Sequence, residues 1–308
     1  MTVNCTKYDP FDSSWVPVCI EFCLGTIGNI LALVILWISR RHNGWRPFDK
    51  MFAGLALDNL LSIMLTDPFI FKRYTSGSTW SYNQTLCDFN SFLLVNNHLS
   101  SAFLICAMSI DQFLIAREFE KETGSSGRRE GKRYTIMVFV LMIVSASISL
   151  LYVTGLSSSR LVYPETRCYL DFICREPYIF TSLSISLILL TVIFNVLSIW
   201  KFYKNPYLRS MARYSRTGRN QCCSNMSVFV VVISVVFFVL WTPFLVLMIV
   251  PEALDEEVLL WFLRIANLNT VIEPWLYIFL RREAFGRIVH RCIQSRRGYA
   301  PLDSTPGT

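Results

Sequence analysis

Apolar residues in this chain run almost unbroken for stretches of about twenty, the length that spans a bilayer as a helix. The first run covers roughly Trp15–Ser39, the second Phe48–Tyr74, the third Leu86–Ala116 and the fourth Tyr134–Thr154. The fifth covers Tyr178–Tyr203, the sixth Ser224–Val250 and the seventh Val258–Leu280. The pattern predicts an all-α membrane protein with a seven-helix transmembrane bundle over residues 15–280. Residues 1–14 form a polar tail ahead of it, and residues 295–308 a short polar tail at the far end. Between bundle and tail, residues 281–294 alternate at helical spacing. Ala284, Phe285, Ile288, Val289 and Cys292 are apolar and Arg287 and Arg291 polar, which predicts an amphipathic eighth helix on the membrane surface.

Seven spans put the two termini on opposite sides. Lys and Arg concentrate in the loops after spans one, three and five and at the C-terminus, whereas the loop after span six holds Glu252, Asp255, Glu256 and Glu257. The positive-inside rule therefore predicts an extracellular N-terminus and insertion in the plasma membrane. Composition agrees: 53% of the 308 residues are hydrophobic and 17% charged, and the mean hydropathy is +0.42. The net charge of +7 would suit nucleic acid, but its basic residues lie between the spans, where they set topology. Membrane lipids, and no nucleic acid, are the expected surroundings.

One charge does not fit its setting. Arg264 sits about two turns inside the last span, where a cation costs about 2.5–3.5 kcal/mol and marks a functional site by default. Its helical neighbours Leu260, Trp261, Asn267 and Leu268 are not acidic, and Glu273 is about 13.5 Å along the axis on the opposite face. Arg264 needs an anion from another helix, with Asp67 of span two as one candidate, or from a ligand.

The ten cysteines include no CxxC pair and no metal-spaced Cys/His cluster, so no metal or cofactor is expected. Cys87 opens span three and Cys168 lies in the long extracellular loop. Both face an oxidising compartment, where a disulfide would pin that loop over the bundle and two unpaired thiols are the alternative. Cys5 and Cys174 are a second candidate pair. Asn4-Cys5-Thr6 and Asn83-Gln84-Thr85 are glycosylation sequons on the extracellular side. Cys292 is a candidate for palmitoylation, or a plain buried thiol. His98 in span three is a lone imidazole, expected as a hydrogen-bonded packing residue.

Gly28-Asn29, Asn59, Trp241-Thr242-Pro243 and Glu273-Pro274-Trp275-Leu276-Tyr277 form an ordered set across spans one, two, six and seven. As a set it resembles the rhodopsin-like G-protein-coupled receptors, with Asp111-Gln112-Phe113 standing at that family's Asp/Glu-Arg-Tyr triplet. Four further stretches resemble the prostanoid receptors, their prostaglandin E branch above all: GLSSSRLVYPETRCYLDF, ICAMSIDQFL, RIANLNTVIEPWLYIFLRR, and GLALDNLL followed by Tyr74.

This resemblance implies an acidic lipid bound among the helices, its carboxylate held by Arg264, Tyr74 and Thr166. A guanidinium offers a carboxylate two parallel hydrogen bonds, and Lys72 and Arg73 add positive potential at the mouth. It also implies signalling through a heterotrimeric G protein, of the stimulatory type that raises cyclic AMP. Asp111, Gln112, Phe113, Trp241, Pro243, Glu273, Pro274 and Tyr277 are the activation residues carried over.

The departures matter as much. Arg167 replaces the family's Trp before the loop Cys, Ile70 its polar residue in upper span two, and Asn267 its Ser in span seven. Asn59 replaces the mid-span acid, with Asp58 about 100° round the helix, which argues against a sodium site. Gln112 cannot form the charged pair made by the family's Arg. Two outcomes follow: ligand-independent signalling, or a binder that does not signal. So compact and divergent a copy resembles a receptor captured by a large DNA virus, whose destination would be the host cell membrane.

Other classes fit less well. Span seven has no Lys for a retinal Schiff base. Enzyme signatures such as HExxH and GxSxG are missing, and no inverted repeat points to a transporter.

Overall fold

The computed structural model describes residues 15–43, 45–76, 83–120, 130–156, 159–162, 167–170, 178–204, 220–249 and 256–280. The helices are α1 (Val16–Asn43), α2 (Pro47–Ser76), α3 (Gln84–Glu120), α4 (Glu130–Leu151), α5 (Tyr178–Lys204) and α6 (Asn220–Ile249), with α7 (Glu256–Asn267) and α8 (Asn269–Leu280) at the end. Six helices are long and apolar enough to cross a membrane. The seventh span is α7 and α8 together, broken at Leu268. Helical bonding continues through the break, because Leu268 N–H donates to the carbonyls of Arg264 and Ile265 and Ile272 N–H to that of Leu268. Thr270 Oγ1 donates to the Asn267 carbonyl at 2.8 Å, closing the turn from the side.

The helices are polar inside and apolar outside, which is the solution lipid imposes. Ile136, Phe139, Ile143 and Leu151 of α4 are each more than half exposed, as are Val235 and Val239 of α6. In water such faces would call for a partner; here hydrocarbon is the partner. Helix α3 is the most enclosed, packing against α2, α4, α5 and α6.

Three helices carry an internal proline: Pro68 in α2, Pro243 in α6 and Pro274 in α8. Each proline strips one carbonyl of its helical donor, and in lipid that acceptor must be satisfied by a neighbour. For Pro274 the carbonyl belongs to Thr270, and Asn29 Nδ2 of α1 donates to it at 3.0 Å. Asn29 and Pro274 are thus one device built from two helices. Close approach makes it work: a Cβ on Gly28 would lie 2.9 Å from Trp275 Nε1 and 3.2 Å from Pro274 Cγ. Trp275 Nε1 in turn donates to the Leu24 carbonyl at 3.2 Å. We expect Gly28→Val to push α1 off α8 and cost about 1–3 kcal/mol by overpacking. Thermal unfolding in detergent measures it, and an unchanged midpoint would refute this contact.

Past α4 the chain makes a π-helical turn (Tyr152–Leu156), then two strands, β1 (Ser159–Val162) and β2 (Arg167–Leu170). They pair antiparallel, Ser159 opposite Leu170 and Leu161 opposite Cys168. The hydropathy pattern marks this stretch only as a polar loop. All four residues of β2 are buried. The hairpin packs on α3, and a Cys87–Cys168 disulfide binds β2 to the start of that helix. Asn83 Oδ1 accepts from Leu86 N–H at 2.8 Å, capping α3 just ahead of the bridge.

Candidate functional site

The upper interior lies beneath this lid. Arg264, on α7, is half-buried, and its Nη2 donates to the Tyr74 hydroxyl of α2 at 3.2 Å. Its guanidinium carbon lies 5.1 Å from the Trp261 ring centroid. Helix positions explain the meeting. Asp67, Ile70 and Tyr74 fall at i, i+3 and i+7, one face of α2, with Ile70 fully enclosed between the two polar ends. Asn267, one turn along from Arg264, is buried. Thr166 lies outside the described residues, as do Asn4, Cys5, Cys174, Cys292 and the segment 281–294.

Arg167 is spent differently from the second cation that its sequence position suggested. Its Nη2 donates to Glu21 Oε2 of α1 at 2.9 Å, and both side chains are nearly enclosed. Asp67 lies in the electrostatic field of both, and Tyr74 in that of Arg167. Burial opposes the charge on Arg167, but Glu21 and then Asp67 outweigh it and hold its pKa above the ordinary value. On the same strand, burial pushes the Tyr169 hydroxyl well above its usual range. Glu21 gave no sign of this role in the sequence, because only the fold brings it to a residue 146 positions away.

Below the chamber, polar side chains join α2, α3 and α8. Glu273 is fully buried and accepts from Asn59 Nδ2 at 2.7 Å and from Asn269 Nδ2 at 2.6 Å. Asn97 Nδ2 donates to Asn59 Oδ1 at 2.9 Å. Asp58 accepts from Ser100, Asn96 and Asn97. Acid and amide have thus exchanged places relative to the family pattern, with Asn on span two and the carboxylate on span seven. His98 joins Ser184 at 2.8 Å and lies 3.8 Å, centroid to centroid, from Trp241, so it packs on the buried Trp of α6.

At the cytoplasmic end the triplet residues find neutral partners. Tyr134 of α4 donates to Asp111 Oδ1 at 2.6 Å, and Ser227 of α6 donates to Gln112 Oε1 at 2.8 Å. Gln112 therefore ties α3 to α6 without a charge. Phe113 packs against Phe194 of α5. Tyr277 is fully buried and stacks on Phe52, their centroids 4.3 Å apart.

Seven membrane helices with a polar interior, roofed by a disulfide-tethered hairpin, define a heptahelical membrane receptor and not an enzyme. The chain belongs to the seven-transmembrane receptor (rhodopsin) family, whose model matches residues 28–277. It is 25% identical over 331 residues to the human prostaglandin E2 receptor EP4 subtype, covering 91% of this chain and 67% of that relative. It is 27% identical over 293 residues to the mouse thromboxane A2 receptor, covering 87% of this chain and 83% of that one. The crystal structure of squid rhodopsin superposes with a TM-score of 0.72 at 14% identity, over 95% of this chain and 91% of that one, a likeness of fold. The resemblance to prostanoid receptors read from the sequence is thus matched by the relatives.

Proposed function

We propose that this receptor binds a prostaglandin E2-like acidic lipid within the bundle and activates a heterotrimeric G protein, the stimulatory type that raises cyclic AMP. It acts in the plasma membrane with its N-terminus outside. The ligand carboxylate is held by Arg264, Tyr74 and Thr166, with Ile70 and Asn267 beside it. The observation that carries this reading is the 3.2 Å hydrogen bond from Arg264 to Tyr74. It joins two donors from different spans inside the bundle, both able to point at one carboxylate. Charge-assisted hydrogen bonds of this kind are roughly twice as strong as neutral ones. Motion passes downward through Trp241, Pro243, Glu273, Pro274 and Tyr277 to Asp111, Gln112 and Phe113. Asn83 and Asn4 are glycosylated, and Cys292 is palmitoylated beside the membrane.

A second reading has its own support. Gln112 meets Ser227 through one neutral hydrogen bond, a weaker restraint between α3 and α6 than an ion pair. Weaker restraint of the resting state raises signalling without ligand. Cyclic AMP measured with and without prostaglandin E2 separates the two. The lipid reading expects a concentration-dependent rise that Tyr74→Phe shifts about tenfold to higher concentration, the loss of one hydrogen bond to a charged group. A high basal level that ignores prostaglandin E2 and changes in Gln112→Arg would favour the second reading.

A further inference from the structure

Three ionisable side chains meet under the lid, contributed by three separate elements: Glu21 from α1, Asp67 from α2 and Arg167 from β2. Only Arg167 is placed by a covalent tether, since its neighbour Cys168 is bonded to Cys87. Its guanidinium reaches Glu21 at 2.9 Å, and the two side chains are 5% and 10% exposed. Asp67 is 1% exposed. Its Oδ1 accepts from Thr66 Oγ1 at 3.3 Å, and its Oδ2 has no hydrogen-bond partner among the described residues.

Counted together, these groups never sum to a positive charge. With Asp67 protonated they are neutral, and with Asp67 ionised they are negative. The cluster is not remote from the ligand anchor, because Tyr74 lies in the field of Arg167 and hydrogen-bonds Arg264. An incoming carboxylate thus meets the Arg264 cation with buried acids close behind Tyr74.

We infer that Glu21 and Asp67, by neutralising Arg167 from within, make this site accept neutral esters and amides of a lipid acid beside the free acid. The inference rests on the lipid reading above. Arg264 and Tyr74 are both hydrogen-bond donors, and an ester or amide carbonyl can accept from both. What the neutral head loses is the Coulomb attraction that a net positive site would add. In a poorly solvated interior that attraction is large, and the two acids offset it. Glu21 and Asp67 are therefore specificity-determining residues. They act on the charge of the ligand head without having to touch it.

The test is competition against tritiated prostaglandin E2 on membranes bearing the full chain. Prostaglandin E2 and its methyl ester are compared, and the ratio of their affinities is the readout. In the wild type the ratio stays within about tenfold. In Glu21→Gln/Asp67→Asn the uncovered Arg167 charge raises the preference for the acid by about tenfold more. Glu21→Gln alone keeps Asp67 as counter-charge, disturbs folding less, and raises the ratio by about threefold. Surface labelling shows which variants reach the membrane. A ratio that stays at the wild-type value in the variants on the surface overturns the inference, as does a wild-type preference for the acid beyond about thousandfold. Arg264→Ala separates the inference from the lipid reading beneath it. If it weakens the acid while the Glu21 variants leave the ratio fixed, only the inference falls. If it changes neither affinity, or if the wild type binds neither compound, the lipid reading falls and takes the inference with it.

Discussion

Arg264→Ala lowers the affinity for prostaglandin E2 by about 100-fold, with surface expression retained. The magnitude follows from truncating one partner of a desolvated, hydrogen-bonded charge pair, which costs about 2–5 kcal/mol. Expression is retained because Arg264 is half-buried and stacks over the exposed Trp261, so its loss opens no deep cavity. Arg264→Lys keeps the charge but not the planar fork, and recovers only part of the loss. Competition binding reads all three receptors. An affinity within twofold of wild type in Arg264→Ala would remove the carboxylate from this residue.

The second large effect lies in the middle of the bundle. Glu273→Ala removes the acceptor for two buried amides, Asn59 Nδ2 and Asn269 Nδ2. Each amide left without a partner costs about 1–3 kcal/mol. Because Asn97 bonds Asn59, the damage also reaches α3. We expect a large drop in the unfolding temperature in detergent, and loss of any ligand-stimulated cyclic AMP. Glu273→Gln keeps one carbonyl acceptor and shows a smaller drop. If the alanine variant melts at the wild-type temperature, the network does not bind α2 to α8 as described.

The spans were legible because lipid imposes a strong rule: an apolar run of bilayer length, repeated seven times, is what a chain needs to cross and recross hydrocarbon. Arg264 was legible for the same reason, as a cation where hydrocarbon was expected. The pairing of Asn29 with Pro274 was visible only as membership of a set. Its physical content, an amide covering the carbonyl that proline leaves bare, needed the two helices side by side. The break at Leu268 was hidden because the residues around it are as apolar as the rest of the span, and only the flanking Asn267 and Asn269 mark it.

The lid was the least legible region. Its strands are four residues each, in a stretch whose Ser, Pro and charged residues read as loop. Arg167 was visible as a departure, but the sense of that departure was not. Whether an Arg over a binding site serves the ligand or the protein depends on acids elsewhere in the chain, and hydropathy treats Glu21 and Asp67 as isolated defects. Asp67 was a candidate partner for Arg264, and the fold sets it in the field of Arg167. Likewise Gln112 read as the loss of an ion pair, and only the packing of α6 supplies Ser227 as its neutral replacement.

Where a lipid carboxylate comes to rest decides the function proposed for this receptor. A structure of the full chain with prostaglandin E2 bound measures that directly. We expect the carboxylate within hydrogen-bonding distance of both Arg264 and Tyr74, beneath β2, with Arg167 still on Glu21. A carboxylate lodged elsewhere, or Arg264 held by a protein acid with the lipid absent from the interior, would rule this binding mode out.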